Sequence, residues 1–259
     1  MTRISVELVP RDIEVLKEEV KTIKEKLSDV DFINIPDLLS CDTRSWDGAN
    51  IAKAYFDDVV PHLRAMDFDF TKELPIKDKL REYNIKEVLV IEGDPPQSML
   101  YQVYPTISTD IIKKFSEEMP EITVYAGIDQ YRSSMKEEEY RIRRKQLAGA
   151  KGFFTQPFFD MRYLEMYADL LDGLDIYWGV SPVLSERSVS YWRNKNNVIF
   201  PKDFEPTLEW NIEFASKVID FARKHNHNVY LMPIKAKIMP YLERSEERRV
   251  GKECRSRWS

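Results

Sequence analysis

Cysteine, histidine and glycine are scarce in this chain of 259 residues, at two, three and eight copies. Each scarcity removes a class of protein. Cys254 falls in the last fifteen residues, so the patterned part of the sequence holds only Cys41 and no internal disulfide is expected there. Cys41, in LLSCDTRS with no adjacent cysteine and no obvious base, reads as a bystander rather than a nucleophile. His225 and His227 sit in a polar turn, KHNHN, and no zinc-ligand spacing is present, so a metal centre is not expected. The few glycines form neither GxGxxG nor GxxxxGK[ST], which leaves any dinucleotide to be held by loops of another kind of fold. No apolar run approaches the ~18 residues that span a bilayer, and MTRISVELVP lacks the long apolar stretch of a signal peptide. A cytoplasmic protein with no membrane partner is the expectation.

The charge balance excludes another class. The formal net charge is −5. The final segment, SEERRVGKECRSRWS (245–259), is charged and nearly free of apolar residues, and it resembles a cloning-vector or read-through scar rather than part of a fold. Without it the balance is 34 basic against 41 acidic residues, a charge of −7, which is no footprint for nucleic acid. Residues 1–244 carry no Pro/Gly/Ser-rich linker, repeat or low-complexity run, and one domain is expected.

What is present is a recurrent alternation. Short apolar runs of strand length, ISVELV (4–9), FINI (32–35), DVVPHL (58–63), EVLVIE (87–92), ITVYAG (122–127), GFFTQ (152–156), LDIYWGV (174–180) and NVYLMP (228–233), are separated by amphipathic stretches of helical period. Ile13, Leu16, Val20, Ile23 and Leu27 mark one such stretch, 108–118 another, and 135–149 a third. Ser134 and Glu137 have the spacing of a capping box at the start of the last. The region 38–57 is the least regular. Eight strands with helical crossovers predict an α/β fold, a single (β/α)8 TIM barrel, with a doubly wound open sheet as the alternative.

A barrel of this kind carries its chemistry at the C-terminal strand ends. Polar residues stand there on successive strands: Glu7, Asp37, His62, Glu92 and Asp94, Asp129 and Gln130, Thr155 and Gln156. Glu7 interrupts an apolar strand, where burial raises a carboxyl pKa toward neutrality and makes it a proton donor, unless a lysine or arginine satisfies it. In EGDPP, glycine and two prolines fix a turn that aims Asp94 at the mouth, as a partner for an amidine-like ring edge or as a local turn cap. Gln156 can donate to and accept from a lactam edge. Phe158 and Phe159 read as packing residues. His62 is either a cofactor contact or a satisfied core histidine. Arg141, Arg143, Arg144 and Lys145, at helical spacing, read mostly as a solvated face.

ISVELVP, VVPHL, EGDPP, AGAKGFFTQPFFD and GVSPVLS, in this order, resemble the methylenetetrahydrofolate reductase family of flavin-containing barrels over most of residues 3–233. The resemblance implies that Glu7 protonates N10 of 5,10-methylenetetrahydrofolate and that Asp94 and Gln156 hold the pterin. It implies that Trp192, or its neighbour Tyr191, packs against the aminobenzoyl group. FAD would be the hydride source, contacted by His62, Asp129, Arg144 and Lys145, with NADH or NADPH as electron donor and a homo-oligomer or an electron-transfer partner as the assembly. The chain departs from the family at Glu92, where an arginine is common, and in IPDLLS and GIDQYR. These departures point to two alternatives: a flavin-free reductase of a reduced pterin, and a non-catalytic folate-binding or complex-forming subunit.

Overall fold

The computed structural model describes residues 2–96 and 101–233; the expected domain end at 244 and the segment 245–259 lie outside them. Eight parallel strands close on themselves in sequence order: β1 (Ile4–Glu7), β2 (Phe32–Ile35), β3 (Val59–Arg64), β4 (Glu87–Ile91), β5 (Thr123–Ile128), β6 (Gly152–Pro157), β7 (Ile176–Val180) and β8 (Asn228–Leu231). The open-sheet alternative is thereby removed, since β1 pairs with β8 as well as β2. Helices lie between successive strands: α1 (Ile13–Lys26), α2 (Ser45–Ala52), α3 (Lys77–Glu82), α4 (Ser108–Glu118), α5 (Met135–Ala148), α6 (Met161–Leu170), α7 (Glu186–Lys195) and α8 (Leu208–His225). The irregular region 38–57 contains α2. Among the described residues no helix is long and apolar enough to cross a membrane.

Helix starts follow local chemistry. Asp12 caps α1 by accepting from Val15 N at 2.9 Å. At α5 the Ser134 hydroxyl accepts from Glu137 N at 3.3 Å, but the Glu137 carboxylate turns outward to Arg141 at 2.7 Å. Only half of the expected capping box forms, because an ion pair one turn along competes for the carboxylate.

Alternation along each strand sorts the side chains. Ile4, Val6, Ile33, Ile35, Val88, Val90, Ile176 and Trp178 face outward into the core beneath the helices. Phe32, Val60, Leu89, Tyr125, Phe154, Tyr177 and Tyr230, one from each strand β2 to β8, fill the barrel interior. The remaining strand, β1, contributes Ser5, which is fully buried and lies beside Phe32 on one side and Tyr230 on the other. A small residue on β1 makes room for the two rings that flank it. Phe154 and Tyr177 stack at 4.1 Å, and most of the other ring pairs meet edge to face.

Below this layer the N-terminal end of the barrel is closed by Arg3. Its guanidinium lies 4.4 Å over the Phe32 ring and donates to Glu87, to the hydroxyls of Tyr125 (3.2 Å) and Tyr177 (3.1 Å), and to Asp58 at 3.3 Å. With the floor plugged, the C-terminal mouth is where a ligand reaches the interior. Replacing Arg3 with methionine leaves Glu87 and two phenols without their common donor, and urea unfolding should show a loss of roughly 2 kcal/mol.

Candidate functional site

Above the aromatic layer the inward positions become polar. Glu7 ends β1, beside Asn34 of β2, and accepts a hydrogen bond from the Tyr230 hydroxyl of β8. The partner that satisfies Glu7 is therefore a neutral phenol, not the lysine or arginine that would have made it structural. Burial pushes the Glu7 carboxyl up to about 7, with the Tyr230 hydrogen bond opposing the rise. His62 lies on β3, buried, with Nε2 at 3.3 Å from Asn34 Oδ1, a contact that requires the Nε2–H tautomer. Burial lowers its pKa to about 3, so the imidazole is neutral. Asn34 Nδ2 and, at the end of β7, Ser181 Oγ are buried without a hydrogen-bond partner among the described residues.

A cavity of about 460 Å³ opens at the ends of β4, β5 and β6 and brings together Asp94, Gln156, Asp129, Arg144 and Lys145. Asp94 owes its place to Gly93, whose φ of +90° is left-handed, and to Arg64, which donates to the Asp94 carbonyl at 2.8 Å. Arg64 is buried and also meets Asp67, so β3 anchors the turn that follows β4. Gln156 is held through its backbone. Its carbonyl accepts from Gln130 Nε2 at 2.7 Å and Thr155 Oγ1 at 2.8 Å, which leaves the side chain exposed in the cavity. The strand irregularity there depends on Gly179, where a Cβ would lie 2.6 Å from the Thr155 carbonyl.

In the basic cluster of α5, Arg144 is exposed and Arg141 and Arg143 are partly so, as a solvated face would be, and Lys145 is the member that turns inward. Arg141 and Lys145 are partly buried, and both line the cavity with Arg144. Lys145 Nζ donates to the Gly127 carbonyl at 2.6 Å, and burial lowers its pKa. Glu92, Asp94, Asp129 and Glu138 line the same space as Arg132, Arg141, Arg144 and Lys145, so charges of both signs are matched. Glu92 accepts from Ser108 N at 3.0 Å and so occupies the N-terminus of α4 with a carboxylate. A phosphate would otherwise be stabilised there. These residues do not fit a flavin diphosphate at that helix end.

Other expected residues are placed elsewhere. Glu7 and His62 face the barrel interior rather than line this cavity. Trp192 is buried on α7 with Phe159, Val183 and Val198, and Tyr191 is half exposed beside it with Lys195 at 5.7 Å. Phe158 and Phe159 are buried packing residues. Asp37 is fixed by Arg44 at 2.6 and 2.9 Å and by Ser45 N, which makes it a loop anchor. Asn34, Arg64, Ser181 and Tyr230 were not singled out from the sequence. The parity of FINI and NVYLMP was the available signal, since it turns Asn34 and Tyr230 to the same side as Glu7. Among the described residues no group of His, Cys, Asp and Glu could hold a metal.

Glu7 also makes a prediction about stability. Below about pH 4.5 its carboxyl is protonated in both folded and unfolded chains. Between about 4.5 and 7 the unfolded chain releases a proton that the fold retains, so ionisation progressively favours unfolding and the penalty is complete above 7. Glu7→Gln should therefore melt with the wild type at pH 4 and at a higher temperature at pH 8; parallel melting curves across this range would contradict the shift.

No family model matches the chain. A curated 5,10-methylenetetrahydrofolate reductase of Buchnera aphidicola subsp. Schizaphis graminum (strain Sg) is 22% identical over 147 residues, 55% of this chain and 50% of that protein. The chain thus spans about half the length of the curated relative it matches. A structure of an uncharacterized protein from Clostridium thermocellum, which binds two copies of 5-methyl-5,6,7,8-tetrahydrofolic acid, superposes with a TM-score of 0.62 at 14% identity, covering 95% of this chain and 94% of that one. A 2,3-dimethylmalate lyase of the PEP mutase/isocitrate lyase superfamily superposes at 0.60 with 10% identity, covering 95% and 79%. At these identities the structural likeness establishes the barrel. The sequence match is to a methylenetetrahydrofolate reductase at 22% identity over part of each chain, and the structural likeness is one of fold.

Proposed function

We propose that the protein is a folate-dependent oxidoreductase that reduces 5,10-methylenetetrahydrofolate to 5-methyltetrahydrofolate at the mouth of the barrel. The observation that carries this reading is Glu7, an inward-facing carboxyl at the end of β1 that keeps its proton to about pH 7. Support comes from the reductase name of the curated relative and from the neighbour that binds 5-methyltetrahydrofolate, which is the product of this reaction.

Glu7 gives its proton to N10, the bond between N10 and the methylene carbon breaks with its electron pair going to N10, and the carbon is left as an N5 iminium. A hydride adds to that carbon and completes the methyl group. Asp94 and Gln156, on neighbouring walls of one cavity, are suited to the amidine and lactam edges of the pterin and would orient it for this transfer. Tyr191 of α7, half exposed, is assigned to the aminobenzoyl side in this reading, and Trp192 packs beneath it.

What favours the flavin-free form of the reaction is the departure from the family pattern at Glu92, IPDLLS and GIDQYR. The Glu92 carboxylate already neutralises the N-terminus of α4, so the diphosphate of any dinucleotide, flavin or nicotinamide, would have to lie away from that helix end. Reduced nicotinamide, as NADH or NADPH, then supplies the hydride and leaves oxidised. Purified protein should show no flavin absorbance near ~450 nm while oxidising NADH or NADPH in the presence of 5,10-methylenetetrahydrofolate; a yellow protein bleached by the nicotinamide would restore FAD to the scheme.

The acid itself is tested separately. Glu7→Gln should lower turnover by roughly 100-fold or more while folate still binds, read by steady-state kinetics and by calorimetric titration with 5-methyltetrahydrofolate. Equal turnover in the two proteins would leave a folate-binding subunit as the better account.

A further inference from the structure

Asn34 is fully buried, faces the same side of the barrel as Glu7, and is its direct register partner on the adjacent strand. Adjacent strands lie about 4.8 Å apart, so two inward side chains in register are neighbours. The amide is half used: Oδ1 meets His62 Nε2 at 3.3 Å, whereas Nδ2 is buried with no partner among the described residues. An unmade hydrogen bond at a buried donor is costly, and such a group usually has a partner in some state of the protein. While Glu7 keeps its proton, the same neighbourhood offers that donor no negative charge.

We propose that Asn34 is a positioning residue for Glu7, whose free amide N–H turns onto the carboxylate that remains after Glu7 has given up its proton. Tyr230 already donates to one oxygen of that group from β8, and Asn34 supplies a second donor from β2. The anion is then held from both neighbouring strands. His62 keeps the amide oriented by occupying Oδ1, and being neutral it adds no competing charge. The other influences on Glu7 are its burial and the Tyr230 hydroxyl; no charged side chain among the described residues acts on it. Solvent returns the proton to Glu7 after each turnover, and the Asn34 amide is released.

The inference rests on the assignment of Glu7 as the acid, but its test does not need activity. The Glu7 carboxyl is followed by carbon NMR of the full chain labelled in glutamate, with Glu7→Gln identifying the resonance. In Asn34→Leu, which keeps the size and loses the donor, Glu7 should titrate about one to two pH units higher than in the wild type. Where the assay for 5,10-methylenetetrahydrofolate reduction is active, the plateau of kcat should fall, its high-pH limb should move up by the same amount, and KM for folate should stay within about twofold. A titration unchanged in Asn34→Leu overturns the proposal.

Should Asn34→Leu fail to fold, the wild type decides. The Asn34 side-chain amide protons should move downfield with the same midpoint as Glu7, and Glu7→Gln should abolish the movement. An amide resonance flat from pH 5 to 9 overturns the proposal. Full turnover in Glu7→Gln would remove the reductase reading alone, since the NMR titration still reports whether the two side chains are coupled.

Discussion

Closure of eight parallel strands into a ring is the constraint on which the site depends. Once the ring is closed, alternate residues must fill a space that water does not enter, and the filling is set layer by layer. The middle layer is almost entirely aromatic and aliphatic, and it fits because Ser5 is small where Phe32 and Tyr230 are large. The floor is an arginine whose donors reach Glu87, Asp58 and two phenols. Polar groups with spare hydrogen-bonding capacity are thereby left at the C-terminal end. Glu7 acquires its proton affinity from this arrangement, because the wall that excludes water from the aromatic layer also removes solvation from the carboxylate above it.

The same ring explains why much of the fold was legible in the sequence. EVLVIE, GFFTQ and NVYLMP are short, apolar and bounded by polar or turn residues, and each forms a strand within one or two residues of the expected limits. The mouth residues were legible because a carboxylate inside ISVELV or an amide at the end of GFFTQ contradicts its apolar surroundings. What was not legible was pairing. Tyr230 looked like one more apolar strand residue, and its role depends on β8 returning to β1. Arg64 follows VVPHL with nothing to show that it fixes a carbonyl thirty positions along the chain. Lys145 has the spacing of a solvated face, and only the packing of α5 against β5 brings it to the Gly127 carbonyl.

Glu92 sets the sign of charge at the end of β4. Its position after β4 lies beside the α4 N-terminus, where backbone N–H groups favour any anion. A side-chain carboxylate there satisfies Ser108 N, and the helix end is less favourable to a phosphate. The nearby guanidinium groups do not restore the attraction, because Glu138 and Asp129 stand among them. The cavity is therefore better described as a polar space of mixed sign than as a basic one, which suits a heterocycle with alternating donors and acceptors more than a polyanion.

The opposite shifts of Glu7 and His62 have a single cause and a joint consequence. Burial disfavours whichever form is charged, so it raises the acid and lowers the imidazole: His62 is neutral, and Glu7 is neutral below about pH 7. In the proposed reaction the proton leaves Glu7 as the N5 iminium forms, so a carboxylate and a cation appear together in a space of low polarity. Their attraction is absent in the ground state and present as the ring opens, which is the condition for an interaction to lower a barrier rather than merely tighten binding. A protonated histidine would defeat this by supplying a positive charge beforehand, stabilising the carboxylate in the resting state and repelling the iminium. A neutral His62 beside Asn34 keeps the chamber uncharged until the substrate itself creates the pair.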